Sequence, residues 1–307
     1  MQPPRLTRFK RANKIAVIQI TARDNQIIRL VHQHRFLRSS HILSLLGGSH
    51  QSLLRRLQLL YHHGFLERPR SQLDYYHQGG SRHIIYGLGN RGAALLRDKL
   101  GSSMPSLRWG EKNRSLGRIF LEHALMISDV MVAIKLACRR TGNVRLLEGD
   151  ELPRNPDSTG AKPFKWGVNL NPRVRLGVVP DGVFALDSED QAPERNPAFF
   201  FLEADRGTMP VTRNNLNQTS FYRKLLAYEA TWLQGIHRSQ FGFHRFRVLT
   251  VTRSPERVQS LVEACSRLKS GHGLFLFTDL ATFQKHEDVF LHPWQTGRAG
   301  QVSGILE

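Results

Sequence analysis

Two apolar runs of strand length, residues 178–186 and 198–204, stand on either side of a polar, turn-rich segment. Such a pair closes most simply as an antiparallel hairpin, and it sets the centre of a sheet that the rest of the chain must cover. Acids interrupt both runs: Asp181 early in the first, Glu203 and Asp205 at the end of the second. Side chains two apart in a strand point the same way, so Glu203 and Asp205 share a face. Pairing the runs draws three carboxylates toward one another. A single carboxylate at a strand end is ordinary surface chemistry. Three that converge point to a site for a hard divalent cation, Mg²⁺ or Mn²⁺, which prefers oxygen ligands.

Charge divides the chain of 307 residues, a length that suits two domains. Residues 1–118 hold 21 Lys and Arg against 5 Asp and Glu, a net of +16, while the remainder is close to balance with 23 against 20. The basic half is the electrostatic footprint of a polyanion-binding protein, and double-stranded DNA is the expected partner. No amphipathic Lys-rich helix favours a membrane surface instead. Cys138 and Cys265 form no Cys-x-x-Cys pair and read as buried thiols, which fits a reducing cytoplasm. The apolar run at 15–20 is too short for a signal-peptide core, and no run approaches the length of a transmembrane helix.

Residues 1–20 read as a basic arm with Arg5, Arg8, Lys10, Arg11 and Lys14, either free or laid along phosphates. Thr21 is a plausible N-cap with Asp24 at the third helical position, and the apolar stripe that follows ends near Leu37. A second short helix begins at Ser39 or Ser40 and stops at Gly47-Gly48; Ser49 caps a third. Two extended pieces, at 65–66 and 83–88, precede a helix that Asn90 can cap. This order over residues 21–100 is that of a winged helix-turn-helix, whose third helix enters the major groove. Its outward residues include Gln51, Arg55 and Arg56, types that read base edges; Arg68, Arg70 and Arg82 flank or occupy the wing and can meet phosphates. Residues 101–117 read as a linker and residues 291–307 as a loop-rich tail.

The second domain, residues 118–290, opens with a long amphipathic helix from Arg118 to Arg140 that carries His123. A strand at 144–147, an irregular insertion at 150–172, the acidic hairpin and a helix at 212–232 follow. On that helix Lys224 and Tyr228 are four apart and share a face. A strand at 245–251, a helix capped by Ser254 and a strand at 274–277 complete an α+β fold with a mixed sheet flanked by helices.

Helix, three strands, helix, strand resembles the restriction-endonuclease-like PD-(D/E)xK core. Pro180-Asp181 resembles its first half-motif, and Glu203-Ala204-Asp205 the second, with Asp205 where the family keeps a Lys. That resemblance implies Asp181, Glu203 and His123 as metal ligands, Lys224 or Arg206 as the missing cation, and Lys224-x-x-x-Tyr228 in place of a Gln-x-x-x-Tyr motif. More specifically, the chain resembles the replication-relaxation family of plasmid and mobile-element proteins. The likeness runs through Arg23-Asp24, Arg55-Arg56-Leu57, His62-His63-Gly64-Phe65-Leu66, the segment from Tyr86 to Gly92, Pro180-Asp181-Gly182 and Glu203-Ala204-Asp205-Arg206-Gly207. It implies a role in replication, mobilisation or DNA relaxation.

Two functions stay open. One is a DNA-binding accessory protein with a degenerate nuclease-like platform, partnered by a relaxase, replication or recombination protein. The other is an active Mg²⁺- or Mn²⁺-dependent endonuclease or nickase. In the degenerate case Arg206 and Lys224 simply pair with the acids. There is no Gly-rich phosphate loop and no Gly-x-Ser-x-Gly elbow, and His32-x-His34 and His62-His63 lack completing zinc ligands. No tyrosine and histidine cluster matches a relaxase site. Helix-turn-helix proteins often dimerise, which leaves a homodimer open.

Overall fold

The computed structural model describes residues 8–12, 15, 17–73, 83–100, 108–152, 164–188, 196–286 and 288–307. Among these the protein is α+β, with ten α-helices, a mixed seven-stranded sheet and two smaller sheets. It divides into two compact units, Met1–Val132 and Ala133–Glu307.

The first unit runs α1 (Ala22–His34), β1 (Phe36–Arg38), α2 (Ser39–Leu46), α3 (His50–His62), β2 (Leu66–Glu67), β3 (Ile85–Leu88), α4 (Asn90–Leu100), α5 (Trp109–Arg114) and the start of α6 (Arg118–Thr141). Thr21 begins α1 through a reciprocal capping box: its amide donates to the Asp24 carboxylate at 2.7 Å while its hydroxyl accepts from the Asp24 amide. Ser49 caps α3. Ile27, Ile28, Val31, Leu53, Leu57 and Leu60 are buried, each such side chain contributing about 1.5–3 kcal/mol. The strands form an antiparallel sheet in the order β1-β3-β2. Its closeness depends on glycine. A Cβ on Gly87 would lie 2.6 Å from the Phe36 ring, and one on Gly92 would lie 2.2 Å from the Phe65 carbonyl oxygen.

Two segments depart from expectation. The chain leaves α1 at Arg35, where φ is 64°, so Phe36 and Leu37 pair with β3 rather than extend the helix. The later part of the expected linker holds α5, whose buried Asn113 donates to the Leu88 carbonyl at 2.8 Å.

The second unit contains β4 (Val144–Glu148), β5 (Trp166–Asn171), β6 (Val174–Val178), β7 (Gly182–Ser188), β8 (Ala198–Ala204), α7 (Phe221–Leu233), α8 (Ile236–Ser239), β9 (Phe246–Thr252), α9 (Pro255–Ser266), β10 (Phe275–Asp279), α10 (Leu280–Lys285), β11 (Trp294–Thr296) and β12 (Val302–Ser303). The large sheet is ordered β12-β11-β10-β9-β8-β7-β4. β4, β7 and β8 are antiparallel neighbours; β8, β9 and β10 are parallel. β8 is buried on both faces, as its unbroken apolar run requires of a central strand. Phe199 and Phe201 pack with Leu225, Tyr228, Phe246 and Leu261 in one core.

Val178 ends β6, which pairs with β5 in a separate two-stranded sheet. The first acidic run is therefore split at Pro180, which has no amide to donate to a ladder. Asp181 sits just ahead of β7, and its amide donates to the Leu202 carbonyl at 3.0 Å. The insertion at 150–172 contains β5, anchored by the buried Trp166, whose Nε1 donates to Thr231 at 2.8 Å. α7 starts at Phe221, where Ser220 supplies the cap, rather than at Thr212. The tail is not all loop: β11 and β12 extend the sheet, with Trp294 fully buried. Both cysteines are buried free thiols. Among the described residues no helix is long and apolar enough to cross a membrane.

Candidate functional site

The basic unit presents one face of α3. His50, Gln51, Ser52 and Arg55 are exposed along it. Arg56 is not part of that face, because neighbours on a helix point about 100° apart. It turns inward to Asp24, which is fully buried, with Nε 2.6 Å from Oδ1 and Nη2 bonded to Oδ2. Burial alone would push the Asp24 carboxyl up; the Arg56 guanidinium and the Thr21 amide and hydroxyl outweigh it and hold the pKa below its ordinary value. Arg23 donates to the Gly47 carbonyl in the turn between α2 and α3. The Arg23-Asp24 pair thus fixes the start of α1 against the helix that carries Gln51 and Arg55.

Arg68 is a correction. Only 3% exposed, it stacks over the Tyr61 ring at 4.2 Å, donates to the Tyr86 hydroxyl at 3.0 Å and bonds the Arg8 carbonyl. Its position at the end of β2 draws it into the fold, so it anchors the chain where phosphate contact was expected. Arg70, two residues on, is exposed; Arg82 lies outside the described residues. Part of the arm is also anchored. Arg11 bonds the Tyr61 carbonyl at 3.0 Å and the buried Glu67 at 2.9 Å, and Glu67 takes Arg114 from α5 at 3.0 Å as well.

The acids of the second unit are placed by strand periodicity. Glu203 continues the row of Phe199 and Phe201 that faces α7. It is 1% exposed. Lys224 and Tyr228, one turn apart on α7, take one carboxylate oxygen each: the ammonium bonds Oε2, and the Tyr228 hydroxyl donates to Oε1 at 2.6 Å. Asp181 accepts from the Ala204 amide at 2.9 Å and lies close enough for its charge to act on Glu203 and Lys224. Burial pushes the Glu203 carboxyl up to about 7 against the pull of Lys224, and the Asp181 charge adds to the rise. Burial would pull the Lys224 ammonium down; the charges of Glu203, Asp181 and Asp205 hold it above the ordinary lysine value.

Asp205 faces a different partner. Arg257 of α9 holds it with two nitrogens, at 2.7 and 3.2 Å, and Thr252 donates to it at 3.0 Å. Arg257 also bonds the Met209 carbonyl, so the pair fixes the loop after β8. Arg206 is half-buried, with no ion pair among the described residues.

Within the second unit the cluster brings Asp181, Glu203, Lys224 and Tyr228 together; His123, expected beside them, lies on the part of α6 that is described with the first unit. Among the described residues no group of three or more His, Cys, Asp or Glu side chains is gathered to hold a metal ion. Lys224 and Tyr228 each take one Glu203 oxygen, and each oxygen keeps a further acceptor site. In this arrangement Glu203 is an ion-paired, hydrogen-bonded carboxylate beside Asp181.

Arg257, Thr252 and Glu67 were missed in the sequence. Arg257 had a signal: it sits one turn into a helix announced by Ser254-Pro255. A buried Glu67 between apolar Leu66 and basic Arg68 had none. A family model described as replication-relaxation matches residues 28–245. No curated protein and no solved structure matches the chain.

Proposed function

The chain belongs to the replication-relaxation family, and from that membership we propose that it is a DNA-binding accessory protein of a plasmid or mobile element, acting in replication, mobilisation or relaxation. The first unit is the binding module. α1, α2 and α3 with the β1-β3-β2 sheet make a winged helix-turn-helix, and α3 lies in the major groove with Gln51 and Arg55 toward the bases. Arg70 and Arg82 serve the backbone. The observation that carries this reading is the exposed Gln51 and Arg55 on α3 in a half of the chain with net charge +16.

The second unit is a platform on a nuclease-like frame. Within it the end of α6, the antiparallel β4, β7 and β8, then α7 and the parallel β9 come in an order that supports a likeness to a PD-(D/E)xK core. Glu203 is held by Lys224 and Tyr228, and Asp205 by Arg257, which supports a structural role for both acids. A relaxase, replication or recombination protein is the expected partner of this unit. One observation favours the second reading, a metal-dependent nuclease: Asp181, Glu203 and a lysine do converge at one strand end.

Duplex binding against salt tests the first reading. With about six phosphates neutralised, affinity falls about a thousandfold between 50 and 200 mM salt. Arg55→Ala weakens binding by about 1–3 kcal/mol with the fold intact. A salt-insensitive complex, or full binding by Arg55→Ala together with Gln51→Ala, would overturn it.

A further inference from the structure

Arg91, Ala94, Leu95 and Asp98 follow one another at i, i+3, i+4 and i+7 on α4, so they share one helix face. That face forms one wall of an open groove of about 470 Å³, completed by Ile18, Ile20, Asn25 and Phe65. Beside it the chain alternates: Ile18 and Ile20 are half-buried, while Val17 is 99% exposed. The face is apolar at its centre and oppositely charged at its ends.

We propose that this face is the interface for a second copy of the chain, formed by antiparallel packing of α4 on α4 about a twofold axis. The spacing carries the inference. In an antiparallel helix pair, facing positions have a constant sum of residue numbers. An axis between Ala94 and Leu95 sets Ala94 of one copy against Leu95 of the other. The same axis sets Arg91 against Asp98 at both ends, about 10 Å apart along the helix at 1.5 Å per residue. The surface is thus its own complement, as a twofold interface demands.

The placement of the two charges agrees. Arg91 lies in the first turn of α4, where a cation opposes the helix dipole, and Asp98 lies in the last, where an anion does. Across an antiparallel pair each faces the favourable end of the other helix. Arg91 is held ready: it stacks on Phe65 at 4.6 Å and donates to the His63 carbonyl at 3.1 Å. Arg97 pairs with Asp98 at 2.8 Å on the exposed side and leaves the carboxylate further acceptor sites. The contact is at the small end of specific interfaces, below roughly 1,200 Å², so self-association depends on concentration. The proposal deepens the dimer reading of the DNA-binding module, and neither Gln51 nor Arg55 lines the groove.

The test is sedimentation of the full chain at low salt without DNA. Wild type is expected to dimerise, Leu95→Glu to be monomeric, and Arg91→Asp and Asp98→Arg each to dimerise at least about tenfold more weakly. Mixing the two single variants then restores dimers, because a copy with two acids meets a copy with two arginines. Folding damage from either substitution would not be rescued by mixing. A wild type that stays monomeric, a Leu95→Glu dimer, or no rescue on mixing each overturns the interface. Duplex binding by monomeric Leu95→Glu is scored separately: retained binding to a single site keeps the DNA reading whatever the sedimentation shows.

Discussion

Asp24 in the first unit and Glu203 in the second are both buried carboxylates met by a basic side chain, yet their proton equilibria move in opposite directions. Asp24 takes a two-point guanidinium, an amide and a hydroxyl, and its pKa falls. Glu203 takes one ammonium and one phenol, sits beside Phe201 with Asp181 nearby, and rises to about 7. The count of donors against the solvent lost decides the sign. One group is a locked clamp that aims a helix. The other is poised to change charge near neutrality.

The sharpest way to break this contrast is Arg56→Ala. It strands a fully buried carboxylate, and the first unit should lose about 3–5 kcal/mol in denaturant unfolding. Arg56→Lys should recover only part, since an ammonium cannot reproduce the fork. Lys224→Met in the second unit should cost less, about 1–3 kcal/mol, because Glu203 can take a proton instead of standing as an unpaired charge. Equal losses in the two variants would erase the distinction.

A third test sharpens the contrast through pH. Glu203 holds its proton more tightly folded than unfolded, so between about 4.5 and about 7 the folded state binds more protons. Its contribution is fully present below the unfolded value and is lost as pH rises through that window. Glu203→Gln should flatten this part of the stability–pH curve. Asp24 has the reverse sign: its depressed pKa gives stability above the ordinary carboxyl value that is lost as pH falls through the folded one. A Glu203→Gln curve that keeps the wild-type slope between 4.5 and 7 would assign that slope to other groups.

The sequence carried the local chemistry of both regions well and their cross-chain pairings unevenly. The Thr21-Asp24 box, the Ser49 and Ser254 caps and the long α6 follow from residue types within one turn of each other. Lys224 and Tyr228 were readable as one helix face, and strand parity put Glu203 and Asp205 on one strand face. What parity could not tell is which acid the lysine meets: Asp205 shares the row of Glu203, but Arg257, some 50 residues on, takes it. Arg56 looked like a groove contact because its partner Asp24 is 32 residues away. Arg68 looked like a wing cation because nothing nearby announced the rings of Tyr61 and Tyr86 beneath it. In each case an arginine's long stem let tertiary neighbours choose its direction.

Incubation of supercoiled plasmid DNA with the protein in Mn²⁺, wild type beside Asp181→Ala and Glu203→Ala, tests the division of labour most directly. A DNA-binding module joined to a non-catalytic platform should retard the plasmid in all three proteins and nick it in none. Nicking by wild type that disappears in both variants would contradict the account and make the poised Glu203 part of a working nuclease site.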